Sequence, residues 1–228
     1  MDGAVILGAS GGIGSALADE IAARGGHQLV HRFGRAQGAF DFARPETLDE
    51  IAATVRAGPA PTLILLATGL LSEGERHPER SLRALDAEWL ARQFAINTIG
   101  PALALKALLP LLPRDGRAVC GVLSAKVGSI ADNRLGGWYG YRASKAALNQ
   151  IVRTASVELA RTHPQAVLAA LHPGTVRTDL SAPFTARRDP DDLFTPAESA
   201  GKLLAVLDGL TPADSGRLWS WDGSEIAP

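Results

Sequence analysis

A short apolar run that breaks into glycines limits this chain more than any other stretch. Ala4-Val5-Ile6-Leu7 carries no polar residue, as a strand buried on both faces requires. It gives way to Gly8-Ala9-Ser10-Gly11-Gly12-Ile13-Gly14, and a helical pattern follows from Ser15 to Arg24, closed by Gly25-Gly26. Strand, glycine turn and helix in that order begin a parallel βαβ unit. The glycines let the backbone turn tightly and approach a pyrophosphate, which then rests on the helix N-terminus. Gly8, Ser10, Gly12, Ile13 and Gly14 are therefore candidate nucleotide contacts. Their spacing is G-x-x-x-G-x-G, not the G-x-G-x-x-G of larger dinucleotide binders. The same residues also spell G-x-S-x-G, the nucleophile elbow of hydrolases, with Ser10 as nucleophile. That fold draws part of its oxyanion hole from chain ahead of the nucleophile. Only seven residues precede Gly8, so the hydrolase reading is set aside.

Gln28-Leu29-Val30 reads as a second strand. A site selective for NAD wants an acid near its end, about 20 residues past the turn, for the ribose 2′-hydroxyl. Here stand His31-Arg32-Phe33-Gly34-Arg35, with no carboxylate before Asp41. A guanidinium at that place grips a 2′-phosphate through two hydrogen bonds. The expectation is NADP(H) over NAD(H), with Arg32 as first candidate and Arg35 as second. Ala39-Phe40-Asp41-Phe42 reads as a short third strand. Asp41, beside Phe42 at its end, is placed to accept from an adenine amino group. A helix beginning at Pro45 follows, with Leu48, Ile51, Ala52 and Val55 as its apolar face.

Thr62 to Ala67 is the next strand, ending in Ala67-Thr68-Gly69, small residues that leave room for a cofactor. The polar loop from Leu70 to Arg83 is expected to be mobile. A helix from about Asp86 to Leu111 contains Asn97-Thr98-Ile99-Gly100-Pro101. Pro101 has no N–H, so the carbonyl of Asn97 loses its helical partner and can seat an ordered water. Arg117 to Leu123 is a further strand, and Ser124 at its carboxyl end is a candidate hydrogen-bond donor to a substrate carbonyl. Ala166 to Leu171 and Gly216 to Gly223 read as the last two strands. Thr195-Pro196-Ala197-Glu198 is a capping box that opens a helix. Together these elements predict an α/β chain: a Rossmann-type, doubly wound, seven-stranded parallel sheet with helices on both faces. The 228 residues form one domain in this reading, with a substrate flap at about 179–194.

Tyr141 and Lys145 stand four residues apart in a helical pattern, so they share one helix face. A free phenol titrates near ~10, and a neighbouring cation lowers that value. The expectation is a Tyr141 phenol tuned by Lys145 to act as general acid or base near neutral pH.

In this order and context, these motifs resemble the short-chain dehydrogenase/reductase family over essentially the whole chain. The carriers are Gly8-x-x-x-Gly12-x-Gly14, Asn97, the Ser124 region, Tyr141-x-x-x-Lys145, and Pro173-Gly174-Thr175-Val176 with Thr178. The stretches Leu66-Ala67-Thr68-Gly69-Leu70-Leu71 and Gly136-Gly137-Trp138-Tyr139-Gly140-Tyr141 are most similar to the C-factor-like and sniffer-like branch. That branch contains carbonyl reductases and cell–cell signalling proteins. The resemblance implies NAD(P)-dependent hydride transfer between a nicotinamide and a small-molecule carbonyl or alcohol. It makes Tyr141 the proton donor, Lys145 the holder of the nicotinamide ribose, and the Asn97 carbonyl the seat of a relay water. It gives Pro173, Gly174, Val176 and Thr178 the nicotinamide carboxamide, and it implies a homodimer or homotetramer. The alternative within the resemblance is a dinucleotide-binding signalling protein of low turnover. Dehydration or epimerisation of a sugar nucleotide also uses this pair, but with more chain than 228 residues.

Two positions depart from the pattern. The two Asn that usually precede the glycine after the fourth strand are absent, since Leu66-Ala67-Thr68-Gly69 stands there. Many relatives carry a serine three residues before the glycine matching Gly128, where this chain has Ala125. Neighbouring strand residues face opposite sides, so Ser124 serves only if the strand end bulges inward. Ser124 is the candidate, with Ser129 as the fallback. His172 is read as structural, because Tyr141 already fills the role of base.

The remaining features narrow the partners. Lys and Arg number 23 against 24 Asp and Glu, which favours neither nucleic acid nor an anionic membrane. One cysteine, Cys120 in an apolar run, excludes an internal disulfide and a cysteine metal cluster. The apolar stretches are interrupted by Gly69, Lys106 or Pro110, and no basic leader precedes the first strand, so a cytoplasmic protein is expected.

Overall fold

The computed structural model describes residues 2–34, 40–44, 46–185, 189 and 192–228. The Ala4–Leu7 run is strand β1 (Gly3–Leu7), buried at every position. It pairs in parallel with β2 (Leu29–Phe33) on one side and β3 (Pro61–Leu66) on the other. Beyond β3 lie β4 (Ala118–Leu123), β5 (Ala166–His172), β6 (Leu218–Ser220) and β7 (Glu225–Ile226), giving one seven-stranded sheet in the order β2-β1-β3-β4-β5-β6-β7. The chain leaves β1 for β2 on one side and returns to β3 on the other. That reversal opens a crevice above the carboxyl ends of β1 and β3, the place where such sheets take ligands.

Period-two alternation along each strand feeds two separate cores. Val5, Leu7, Ile64, Leu66, Cys120, Val122, Leu168 and Ala170 face one way. They meet α2 (Glu46–Arg56), α4 (Gly100–Leu108) and α5 (Tyr139–Leu159) through residues such as Leu48, Ile51, Leu105, Leu108, Leu148 and Val152. Ala4, Ile6, Leu65, Val119, Val167 and Leu171 face the other way. They meet α1 (Gly12–Arg24) and α7 (Pro196–Gly209) through Leu17, Ile21, Ala200, Leu203 and Leu207. Helices on both faces explain why the central strands read as continuous apolar runs. Gly25 ends α1 in the left-handed conformation at φ 69°, and the Thr195–Glu198 capping box opens α7.

Three expectations need correction. The sheet is not wholly parallel, because the chain turns back after the last expected strand and β7, beyond it, runs antiparallel to β6. The expected strand at 39–42 does not join the sheet. Asp41 instead bridges Arg44 in a local turn, while Phe40 and Phe42 pack into the α2–α4 core. Ala39 and Pro45 lie outside the described residues, and α2 is described from Glu46. The expected mobile loop after β3 is pinned inward at Pro78 and Glu79, with Glu79 only 3% exposed.

The helix predicted from Asp86 to Leu111 is present as a continuous rod with a changed middle. Asp86 caps α3 (Ala87–Phe94) by accepting from the Trp89 N–H at 2.8 Å. A π-turn over Ala95–Ile99 follows, then α4 and a short 3-10 turn over Leu109–Leu111. Pro101 cannot donate, and the wider turn is how the rod absorbs that loss. By length and apolarity alone Ala87–Leu111 could cross a membrane. Here Gln93, Asn97 and Thr98 on its inner side are buried and hydrogen-bonded within the fold.

Candidate functional site

The glycine turn stands at the head of the crevice. Gly8 takes φ 92°, and both its N–H and that of Ala9 donate to the Phe33 carbonyl, at 2.8 and 3.0 Å. A Cβ on Gly14 would sit 2.1 Å from the Gly8 oxygen, so any side chain there breaks the turn. Helix α1 therefore begins flush against the turn, with Gly11 as N-cap, no capping side chain and no acid in its first turn. Its leading N–H groups and the positive end of its dipole are left for an anion. At the end of β3, the Thr68 hydroxyl is buried without a partner. Glycine cradle, uncapped helix end and orphaned hydroxyl together fit a dinucleotide lying across the switch between β1 and β3.

The opposite wall comes from the 173–178 segment. Gly174 turns at φ 78°, and Thr178 crosses over the glycine turn so closely that a Cβ on Gly12 would lie 2.8 Å from its methyl. Ser181 fixes the segment by accepting from the Thr178 N–H at 3.1 Å and donating to the Val176 carbonyl. Val176 bridges Phe194, which ties both ends of the expected flap together.

Helix α5 places Tyr141 and Lys145 at the carboxyl ends of β3 and β4, 8% and 2% exposed. The Lys145 ammonium donates to the Leu123 carbonyl at 2.9 Å and lies 6.0 Å from the Tyr141 ring centre. Asn97 locks the floor beside them. Its amide oxygen accepts from the Leu70 N–H at 2.7 Å. Its nitrogen donates to the Leu70 carbonyl at 2.8 Å and to Ser144 Oγ at 3.1 Å. This side chain supplies a brace for the loop after β3, where the usual Asn pair is missing.

The protonation pattern reverses the expectation for Tyr141. Burial pushes its phenol up to about 12, and burial pulls the Lys145 amine down to about 8. In a dry pocket each group is driven toward its neutral form, and with the ammonium set 6.0 Å from the ring centre, desolvation wins. A protonated phenol is nonetheless the form that can give a proton to a carbonyl oxygen.

Four further placements differ from the sequence reading or extend it. The Ser124 hydroxyl is taken by another partner. Alternation carries it to the α5 side of β4, where it donates to Asn149 Oδ1 at 2.6 Å. Ala125 packs against Tyr141 and Leu71 instead, and Ser129 Oγ accepts from the Asp132 N–H in its own turn. Arg32 pairs in register with Ile6, so it faces α1, donating to Asp19 at 2.6 Å and to the Ala18 carbonyl at 3.0 Å. Those acceptors lie about two turns along α1 from the glycine cradle. Arg35 lies outside the described residues. The Asp41 carboxylate closes its own turn on the Ala43 N–H, and Phe42 fills the space beside Gly100. His172 is half-buried at the end of β5, its buried Nδ1 without a partner and its pKa lowered to about 4, mostly by burial.

The sequence reading missed the aromatic wall. Trp138 sits in the left-handed conformation at φ 54°, the one described non-glycine residue to do so. Its ring meets Tyr141 at 6.2 Å and Phe184 at 5.2 Å between centres. Phe184 belongs to α6 (Ala182–Thr185), inside the flap. The paired glycines before Trp138 were the available signal, since they permit the left-handed entry into α5.

Comparison with known proteins agrees with this geometry. A family model described as enoyl-(acyl carrier protein) reductase matches residues 8–204. A 1-hydroxy-2-glutathionyl-2-methyl-3-butene dehydrogenase of Rhodococcus sp. (strain AD45) is 39% identical over 141 residues, which is 62% of this chain and 59% of that protein. The C-signal protein of Myxococcus xanthus is 38% identical over 147 residues, 64% of this chain and 82% of its own. An NADPH-bound carbonyl reductase from chicken fatty liver superposes with a TM-score of 0.83 at 25% identity, covering 100% of this chain and 98% of that one.

Two outcomes follow from the site. Ser124→Ala should lower carbonyl reduction less than about threefold, while Ala125→Ser should raise it about tenfold or more by adding a donor beside Tyr141. Steady-state kinetics on both variants decides, and a severe loss in Ser124→Ala would return that serine to the reaction. The second concerns pH. Lys145 titrates at about 8 in the folded protein against an ordinary 10.5, so between those values the unfolded chain binds more protons and stability rises with pH. The raised Tyr141 acts with opposite sign, but only above its ordinary value of 10. Melting temperature should climb from pH 8 to pH 10, by up to roughly 3 kcal/mol of stability, and Lys145→Met should flatten that climb. An equal climb in the variant would mean that the ammonium is not buried as described.

Proposed function

We propose that this chain, which belongs to the short-chain dehydrogenase/reductase family, is an NADP(H)-dependent reductase of apolar aldehydes and ketones. The observation that carries the reading is the buried Tyr141–Lys145 pair at the carboxyl ends of β3 and β4. A nicotinamide dinucleotide bound there supplies the hydride. Tyr141 gives its phenolic proton to the carbonyl oxygen as that oxygen gains charge. Its hydroxyl has no hydrogen-bond partner among the described residues. Lys145, whose ammonium stands 3.8 Å from the Cβ position of Gly69 just past β3, would hold the ribose hydroxyls. The leading N–H groups of α1 hold the pyrophosphate, and Thr68 gains the partner it lacks.

Substrate class follows from the cluster around Tyr141. Leu71, Ala125 and Val127 with the rings of Trp138 and Phe184 surround it, and the Lys145 ammonium stands 6.0 Å from its ring centre. Such a wall favours a flat apolar carbonyl over an anionic one. Arg187 and Arg188 of the flap lie outside the described residues. The preference for NADP(H) draws on the NADPH-bound relative and on the missing acid after β2. A signalling role with low turnover has one observation in its favour, the methyl of Ala125 where a hydroxyl donor is usual. The family match and the protonated Tyr141 favour turnover.

Tyr141→Phe should lower kcat by about 10²-fold or more while NADPH affinity stays within about twofold. An aryl ketone and its carboxylated analogue, followed by nicotinamide absorbance, make the test. Unchanged reduction in the variant sinks the mechanism, and faster turnover of the carboxylate sinks the substrate class. Arg32→Ala should change NADPH and NADH affinities by the same factor, within about twofold, because an exposed ion pair with Asp19 contributes little. Titration showing a selective loss of NADPH would restore Arg32 to the 2′-phosphate.

A further inference from the structure

Helix α5 carries the reacting phenol yet lacks a cap of its own. The chain enters it through Gly136, Gly137 and Trp138 at φ 64°, 66° and 54°, and Trp138 as N-cap offers no side-chain hydrogen bond. Helix starts usually recruit an acceptor from the preceding residue for the second or third N–H. Here the acceptor comes from 61 residues upstream. Glu79 Oε2 accepts from the Gly140 N–H at 3.0 Å, and the Glu79 backbone carbonyl accepts from the Trp138 N–H at 2.5 Å. Gly140 is the second residue of α5, immediately before Tyr141.

The other carboxylate oxygen is held from behind. Gln93 Nε2 donates to Glu79 Oε1 at 2.9 Å, and Gln93 is fully buried on α3. Asn97 stands one turn further along the same rod and reaches Ser144, while Thr98 donates to the Ser144 carbonyl at 2.7 Å. Tyr141 is thus bracketed by two clamps from one rod, at Gly140 on one side and Ser144 on the other. The fit is tight: a methyl on Gly140 would lie 2.6 Å from the Gln93 amide and 2.9 Å from Glu79 Oε1. No ion pair to Glu79 occurs among the described residues, so its charge is met by the helix N-terminus and the Gln93 amide.

We infer that Glu79 is a positioning residue for proton transfer: a remote N-cap that, with Gln93, sets the first turn of α5 and so the place of the Tyr141 hydroxyl. The inference rests on the reductase reading for its kinetic part, and on hydrogen exchange for its structural part. Gln93 Oε1 is buried without a partner, so an amide at position 79 can be met by a turned Gln93 while its oxygen still caps Gly140. Glu79→Gln should therefore preserve the cap, and Glu79→Ala should remove it.

In Glu79→Ala, amides in the peptide 138–143 should exchange about tenfold faster or more, with those of β4 and β5 unchanged. With an aryl ketone as probe, kcat should fall about tenfold or more while KM for NADPH stays within about twofold. Glu79→Gln should restore both to within about threefold. Unchanged exchange at 138–143 in Glu79→Ala, or a Glu79→Gln variant as impaired as Glu79→Ala, overturns the inference. Should Glu79→Ala not fold, Gly140→Ala carries the same test by prising the clamp apart, and normal exchange with normal kcat in that variant also overturns it. A parent protein that reduces no carbonyl sinks the reductase reading alone, and the exchange measurement then decides the cap.

Discussion

The bond from the Lys145 ammonium to the Leu123 carbonyl ties the helix that carries this site to the sheet. Leu123 closes β4, a central strand buried at every position. Lys145 lies on the second turn of α5, which also packs against the sheet. A buried amine is costly to hold, and its lowered pKa is the measure of that cost. What the fold gains is a fixed ammonium within reach of the cofactor crevice and a phenol one turn away. The same dryness that weakens the ammonium keeps the phenol protonated, so the pair is set for giving a proton rather than taking one.

Features that depend on neighbours in sequence were legible from it. The glycine cradle, the left-handed stop at Gly25, the capping box of α7 and the apolar face of α2 are each decided within a few residues. The two-faced burial of β1 followed from an unbroken apolar run. Features decided by distant partners were not. Phe40 and Phe42 look like strand residues, yet they find a better apolar seat against α2 and α4 than an edge strand offers. Arg32 was placed by its distance from the glycine turn, but register with Ile6 turned it toward α1. Ser124 shows the same limit, since alternation alone leaves its hydroxyl's partner open and the fold gives it Asn149.

Glu79 shows why the loop after β3 was the hardest stretch to read. Its neighbours are polar, and composition alone describes a solvated loop. Only the fold brings it to an uncapped helix start 61 residues away. The Trp138 conformation has the same origin. A left-handed tryptophan is unfavourable in isolation, and it persists here because the Glu79 carbonyl holds its N–H and two aromatic rings hold its side chain.

These placements bear on how the site works without a hydroxyl beside Tyr141. One preorganised donor to a developing oxyanion accounts for about 10²–10³ in rate, comparable with the ~10²–10⁴ from general acid catalysis itself. With Ala125 in that place, a methyl packs beside Tyr141 where a hydroxyl is usual. The Tyr141 hydroxyl then has to orient the substrate as well as deliver the proton, so its own position weighs more on the rate. A helix start fixed by backbone capping alone frays readily, and fraying here would move the one group that matters. The double clamp of Glu79–Gln93 at Gly140 and Asn97–Thr98 at Ser144 removes that freedom on both sides of Tyr141. Loss of the usual donor and tight fixation of the remaining one are thus two parts of one arrangement.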